Sequence, residues 1–78
     1  MEKHPNLVKF GKQVRKLRLE RGDSQEAFAD ACGLDRSYMS SIERGIRNAS
    51  LLTIVQLAKT LKVELSELFP PLKQLANK

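Results

Sequence analysis

A single cysteine, Cys32, and a single histidine, His4, are all the chain holds of the two residue types that build disulfides and most zinc sites. One thiol cannot close an internal disulfide, and one imidazole without a second ligand at zinc spacing excludes a structural metal, so neither metal nor cofactor is expected. Nucleophilic catalysis is equally short of parts. Nucleophile and base would have to come from a lone Cys in an apolar pattern and a lone His beside Pro5, so no catalytic residue is assigned and the chain is not expected to be an enzyme. There is also no run of about 18 apolar residues, which excludes a membrane-spanning helix. The charged start MEKHPNLVKFGK leads into RKLRLER rather than into an apolar signal core, and a cytoplasmic protein without a membrane partner is expected.

What the chain does have is positive charge. Fourteen Lys and Arg stand against nine Asp and Glu, a net charge of +5 that points toward an anionic partner. Seventy-eight residues make one domain, 1–78, because so short a chain supports only one small core, here expected between residues 6 and 69.

Helix signals recur closely and no segment alternates with the period of a strand, which predicts an all-α fold, a compact bundle of five helices. The first helix starts near Pro5 or Asn6, places Phe10, Val14 and Leu17 on one face and Lys9, Lys12, Arg15 and Lys16 on the other, and ends at Gly22. Ser24 caps QEAFADAC, whose Phe28, Ala29 and Cys32 face inward; Gly33 ends it. Asp35 then caps RSYMSSIER, closed by Gly45. Two short helices joined by so tight a glycine turn predict a helix-turn-helix over 24–45. Ser50 caps LLTIVQLAKTLK, with Leu51, Ile54, Leu57, Ala58 and Leu61 as its apolar stripe, and a fifth short helix over Leu65 to Phe69 is broken by Pro70 and Pro71.

The stretch LDRSYMSSIERGIRN has an unusual makeup for a helix that only packs. Ser37, Ser40, Ser41 and Arg44 follow the i, i+3, i+4, i+7 pattern of one helix face, and Met39 and Ile42 lie opposite. The apolar pair anchors the helix, leaving a ridge of small hydroxyls flanked by Arg36 and Arg44. Such a ridge fits the major groove of B-DNA: serines let the helix axis come close, and a guanidinium at the first turn can bond guanine O6 and N7 together. A polar helix face is otherwise simply solvated. Its place directly after a capped helix and a glycine turn favours the groove.

The residues SQEAFADACGLDRSYMSSIERGIRNASLLTIVQLAKTL, preceded by GKQVRKLRLERG, resemble the phage repressor and Cro-like (XRE-type) helix-turn-helix family, a likeness running from Phe10 to Phe69. RSYMSSIERGIRN is most similar in wording to the controller proteins of restriction-modification systems. The resemblance implies that Gln25 bonds a DNA phosphate, that Arg36, Ser37, Ser40 and Ser41 face base edges, and that Arg44, Arg47 and Asn48 grip the backbone. It also implies an internal ion pair between Arg18 and Glu43. Tyr38 either reaches a phosphate with its hydroxyl or only covers the core. Two positions depart from the family pattern. Asp23 replaces an apolar residue before the Ser24 cap, which predicts a looser start to the second helix, and Leu52 stands where a charge is more common.

One short recognition helix reads few base pairs, so the expected regulator is a homodimer on a palindromic operator in double-stranded DNA, joined through Leu52, Val55, Leu65, Leu68 and Leu72. Two other readings stay open: an antitoxin that also holds a protein toxin, and a protein-interaction module that keeps the fold without the DNA.

Overall fold

The structure is a computed structural model that describes residues 3–76, with the backbone alone for Leu72. It contains four α-helices, α1 (Pro5–Arg21), α2 (Gln25–Cys32), α3 (Arg36–Glu43) and α4 (Leu51–Leu61), followed by 3-10 turns at Leu65–Leu68 and Leu72–Gln74. The expected fifth helix is therefore such a turn. Between Lys62 and Pro70 the chain has room for little more than one turn, and Glu64 and Glu67 tie its start in a capping box that suits four residues. No strand occurs among the described residues.

Each helix starts where a side chain replaces a missing carbonyl. Ser24, Asp35 and Ser50 accept from Ala27, Ser37 and Thr53 backbone amides respectively. His4 does the same for α1, its Nδ1 accepting from Asn6 N at 3.0 Å. At the other end of the chain α4 stops at Lys62, which adopts the left-handed conformation (φ 59°) without being glycine, so no glycine marked this boundary in advance.

Phe10, Val14, Phe28, Ala29, Cys32, Met39, Ile42, Leu57, Ala58 and Leu68 form the core. Burial pushes the Cys32 thiol above its ordinary pKa and keeps it neutral, as suits a small apolar filler. Two apolar expectations need correction. Leu51, placed in the stripe of α4, is 70% exposed at the first position of that helix. Leu68, placed at a dimer surface, is fully buried, since the turn that carries it packs against both α1 and α4 and inserts this side chain between them.

The seam between α1 and α3 brings backbone against backbone. A Cβ on Gly11 would collide with the carbonyl oxygens of Ile42 and Glu43, the latter at 2.7 Å, and one on Gly45 (φ 77°) would meet Val8 Cα at 2.6 Å. Only glycine allows so close an approach, and it sets how far the third helix can stand off from the first. The C-terminal segment returns along α1: Asn6 exchanges two hydrogen bonds with the backbone of Ala76, Lys9 Nζ donates to the Gln74 carbonyl, and Gln13 donates to the Glu67 carbonyl at 2.8 Å.

Candidate nucleic-acid interface

Helix α3 is held by one flank and presented by the other. On the held flank Arg18 donates to Glu43 through Nε at 2.7 Å and through a terminal nitrogen at 2.9 Å, a two-pronged pair whose side chains are 8% and 3% exposed. Arg18 also donates to the Asp23 carbonyl at 3.0 Å. The Glu43 hydrogen bond outweighs desolvation and raises the Arg18 pKa, so this guanidinium stays charged. Gln25 completes the cluster by donating from Nε2 to Glu43 Oε1 at 3.2 Å. Gln25, expected on a phosphate, thus gives one of its two side-chain N–H donors to this carboxylate and is half-buried beside it. Asp23 is tied at the entry to α2, its carboxylate meeting Arg21 Nε at 2.6 Å and its carbonyl accepting from Arg18.

The presented flank carries Arg36, Ser37 and Arg44, all exposed, with Ser40 half-buried between them. Arg44 Nε donates to Ser40 Oγ at 3.2 Å along the same face. Arg36 lies 3.8 Å from Glu26, but both side chains are more than three-fifths exposed, so this pair contributes little and leaves the guanidinium available. The three-residue link Gly33–Asp35 and the Asp35 cap set the start of α3 at this outer edge.

Ser41 does not belong to the presented row. It is 6% exposed, and its Oγ donates to the Tyr38 carbonyl at 2.6 Å while accepting from Arg47 Nε at 3.3 Å. The helical wheel put it beside Ser40, yet it lies on the border with the following loop, whose Arg47 folds back over it. Tyr38 shares that border: its ring packs at the rim of the core, with the Arg47 guanidinium 4.9 Å from the ring centroid. Asn48 is exposed in the same loop.

Of the residues expected to join two copies, Leu52 is 81% exposed, Leu65 is 42% exposed and Val55 is half-buried. Leu68 belongs to the core, and the side chain of Leu72 lies outside the described residues. Phe69, absent from the expected interface, is also 42% exposed, its ring tilted against Phe10 with centroids 5.2 Å apart.

Two capped helices, a three-residue glycine turn and a second helix with one face locked and the other offered define a helix-turn-helix domain. The chain belongs to the XRE-type helix-turn-helix family, whose model matches residues 14–68. It is similar to the control protein C.MunI of Mycoplasma sp, 46% identical over 68 residues that cover 86% of this chain and 92% of the relative. The control protein C.BamHI of Bacillus amyloliquefaciens is 47% identical over 60 residues, covering 76% and 74%. Among solved structures, the restriction-modification controller protein C.AhdI from Aeromonas hydrophila superposes with a TM-score of 0.82 at 52% identity, covering 85% of this chain and all of that one.

Proposed function

We propose that this chain is a restriction-modification controller, a homodimer that binds a palindromic operator in double-stranded DNA and regulates transcription from it. The observation that carries this reading is the division of α3, one flank fixed by Gly11, Arg18 and Glu43 and the other offering Arg36, Ser37 and Ser40 without an inward partner of any strength. A rigidly seated helix with small outward side chains can enter a major groove, Arg36 bonding a guanine edge and the serines meeting bases or phosphates. Arg44, Arg47, Asn48 and the Tyr38 hydroxyl take the flanking backbone in this reading, with Ser41 aligning Arg47 rather than touching a base. Leu52, Val55, Leu65 and Phe69 supply the apolar surface that joins two copies, so that two α3 helices meet half-sites about one helical turn apart.

Selection of bound sites from random duplexes, combined with sedimentation of the recovered complex, tests the proposal. The expected product is a two-fold symmetric sequence holding two chains. Recovery of no preferred sequence, or of an asymmetric site bound by one chain, refutes it.

A further inference from the structure

Helix α1 carries six basic residues against one acidic, Glu20, so it alone bears a net charge of +5, equal to that of the whole chain. The span from Ser24 to Asn48, which holds α2, α3 and the following loop, sums to −1, with three arginines against four carboxylates. The unit that reads DNA is thus not the unit that attracts it. Of the six cations on α1, Arg18 and Arg21 pair with Glu43 and Asp23, and Lys9 is held by the Gln74 carbonyl. Lys12, Arg15 and Lys16 are exposed and, among the described residues, have no carboxylate within 4.0 Å. Together with Leu19 and Glu20 they line a shallow hollow of about 410 Å³.

Orientation separates this surface from α3. Gly11 and Arg18 mark the side of α1 turned to α3. At about 100° per residue, Lys12, Lys16 and Leu19 point roughly 80 to 160° away from that side, with Arg15 at the nearer rim. In the operator reading the base and backbone contacts come from α3 and the loop that follows it, and none of them uses these cations. We infer that the Lys12, Arg15 and Lys16 face of α1 binds the phosphate backbone of a second DNA duplex while α3 occupies its operator. The proposal rests on the operator reading for its first duplex alone. Three cations with no carboxylate within 4.0 Å, Glu20 being the one acidic residue that lines the hollow, and no donor set fixed for base edges suit backbone contact that ignores sequence.

The test immobilises the selected operator, saturates it with protein, washes, and adds a fluorescent random duplex. Capture is expected at about 50 mM salt; for three phosphate contacts it weakens roughly 40-fold at about 200 mM. The triple variant Lys12→Gln, Arg15→Gln, Lys16→Gln is expected to lose capture at least about tenfold, with operator affinity within about twofold and thermal stability unchanged. Absence of capture by the wild type, or equal capture by the variant, overturns the inference. A parallel fall in operator affinity also overturns it, placing the face along the first duplex. If the variant captures DNA normally but loses regulation of a reporter promoter, the face meets an acidic protein and the inference is again wrong. The operator reading fails separately: with the protein itself immobilised, a chain that prefers no sequence yet loses random DNA only in the triple variant removes the operator and keeps the second face.

Discussion

Glu43 and Arg36 stand at opposite ends of the same eight-residue helix, and each has an opposite charge within 4 Å. Glu43 meets Arg18 at 2.7 Å in a seam where both side chains are almost wholly covered, while Arg36 meets Glu26 at 3.8 Å in open solvent. The first pair is bidentate, joined by Gln25, and sits at the end of α3 whose backbone Gly11 approaches closely. The second is loose and screened. An ion pair's consequence thus depends on what else it can satisfy and on how much water it excludes, and on one helix the two extremes have different results: one end is fastened, the other is kept available.

The sharpest way to break this comparison is to remove the buried carboxylate. Glu43→Ala leaves Arg18 charged and covered, and the expected loss of stability is about 3 to 5 kcal/mol, read from urea unfolding. An unchanged midpoint would mean that water reaches the seam. Replacing both partners, Arg18→Met with Glu43→Leu, is expected to recover most of the loss, because no charge is then stranded. The pH behaviour follows from the raised Arg18 pKa. Its contribution is fully present below the ordinary guanidinium range and is lost only as pH rises through the still higher folded value, so this group adds no slope to stability between about pH 6 and 9. Next in size is Gly11→Ala, expected to cost about 1 to 3 kcal/mol because the added methyl meets backbone carbonyls that cannot rotate aside. At an ordinary exposed helix position the same change is slightly stabilising, and that outcome here would show that α1 and α3 slide freely.

At the open end, Arg36→Ala is expected to leave folding and dimerisation intact. It should weaken binding to the selected operator by about 1 to 3 kcal/mol, with much less loss on random DNA at the same salt. Equal losses on both duplexes would assign Arg36 to the backbone and remove the contrast between the two ends.

Much of this arrangement is legible in the sequence because it depends on neighbours along the chain. Ser24, Asp35 and Ser50 announce helix starts through local hydrogen bonds, and Phe10, Val14, Phe28, Met39, Ile42 and Leu57 announce the core by their spacing. What depends on a second element is harder to read. Leu51 and Leu68 are both apolar at plausible helical positions, and it is the packing of the Leu65–Leu68 turn against α1 and α4 that buries Leu68, while Leu51 stays exposed. Gly11 did carry a signal, since glycine inside a helical pattern often marks a close approach, although its partner, the carbonyls at the end of α3, lies about thirty residues away in sequence. His4 as a cap and Lys62 in a left-handed conformation use residue types that ordinarily do neither.

Ser40 and Ser41 give the smallest and finest test, because adjacent identical residues fall on opposite sides of the same division. Ser40 accepts a side-chain hydrogen bond from Arg44 along the outer face, where both are reached by solvent, so Ser40→Ala is expected to change stability by less than about 0.5 kcal/mol. Its effect should fall on operator affinity. Ser41 is covered, donates to the Tyr38 carbonyl and accepts from Arg47, so Ser41→Ala should cost about 0.5 to 1.5 kcal/mol of stability. Its effect on DNA should be indirect. With Arg47 released from one of its two anchors, binding should weaken by a similar factor on operator and random duplexes, and the preferred sequence should stay the same. The discriminating measurement is repeated site selection with each variant. If Ser41→Ala shifts the selected sequence while Ser40→Ala does not, the buried hydroxyl turns outward when DNA binds, and the boundary between the fastened and the offered flank of α3 lies one residue further round than this structure puts it.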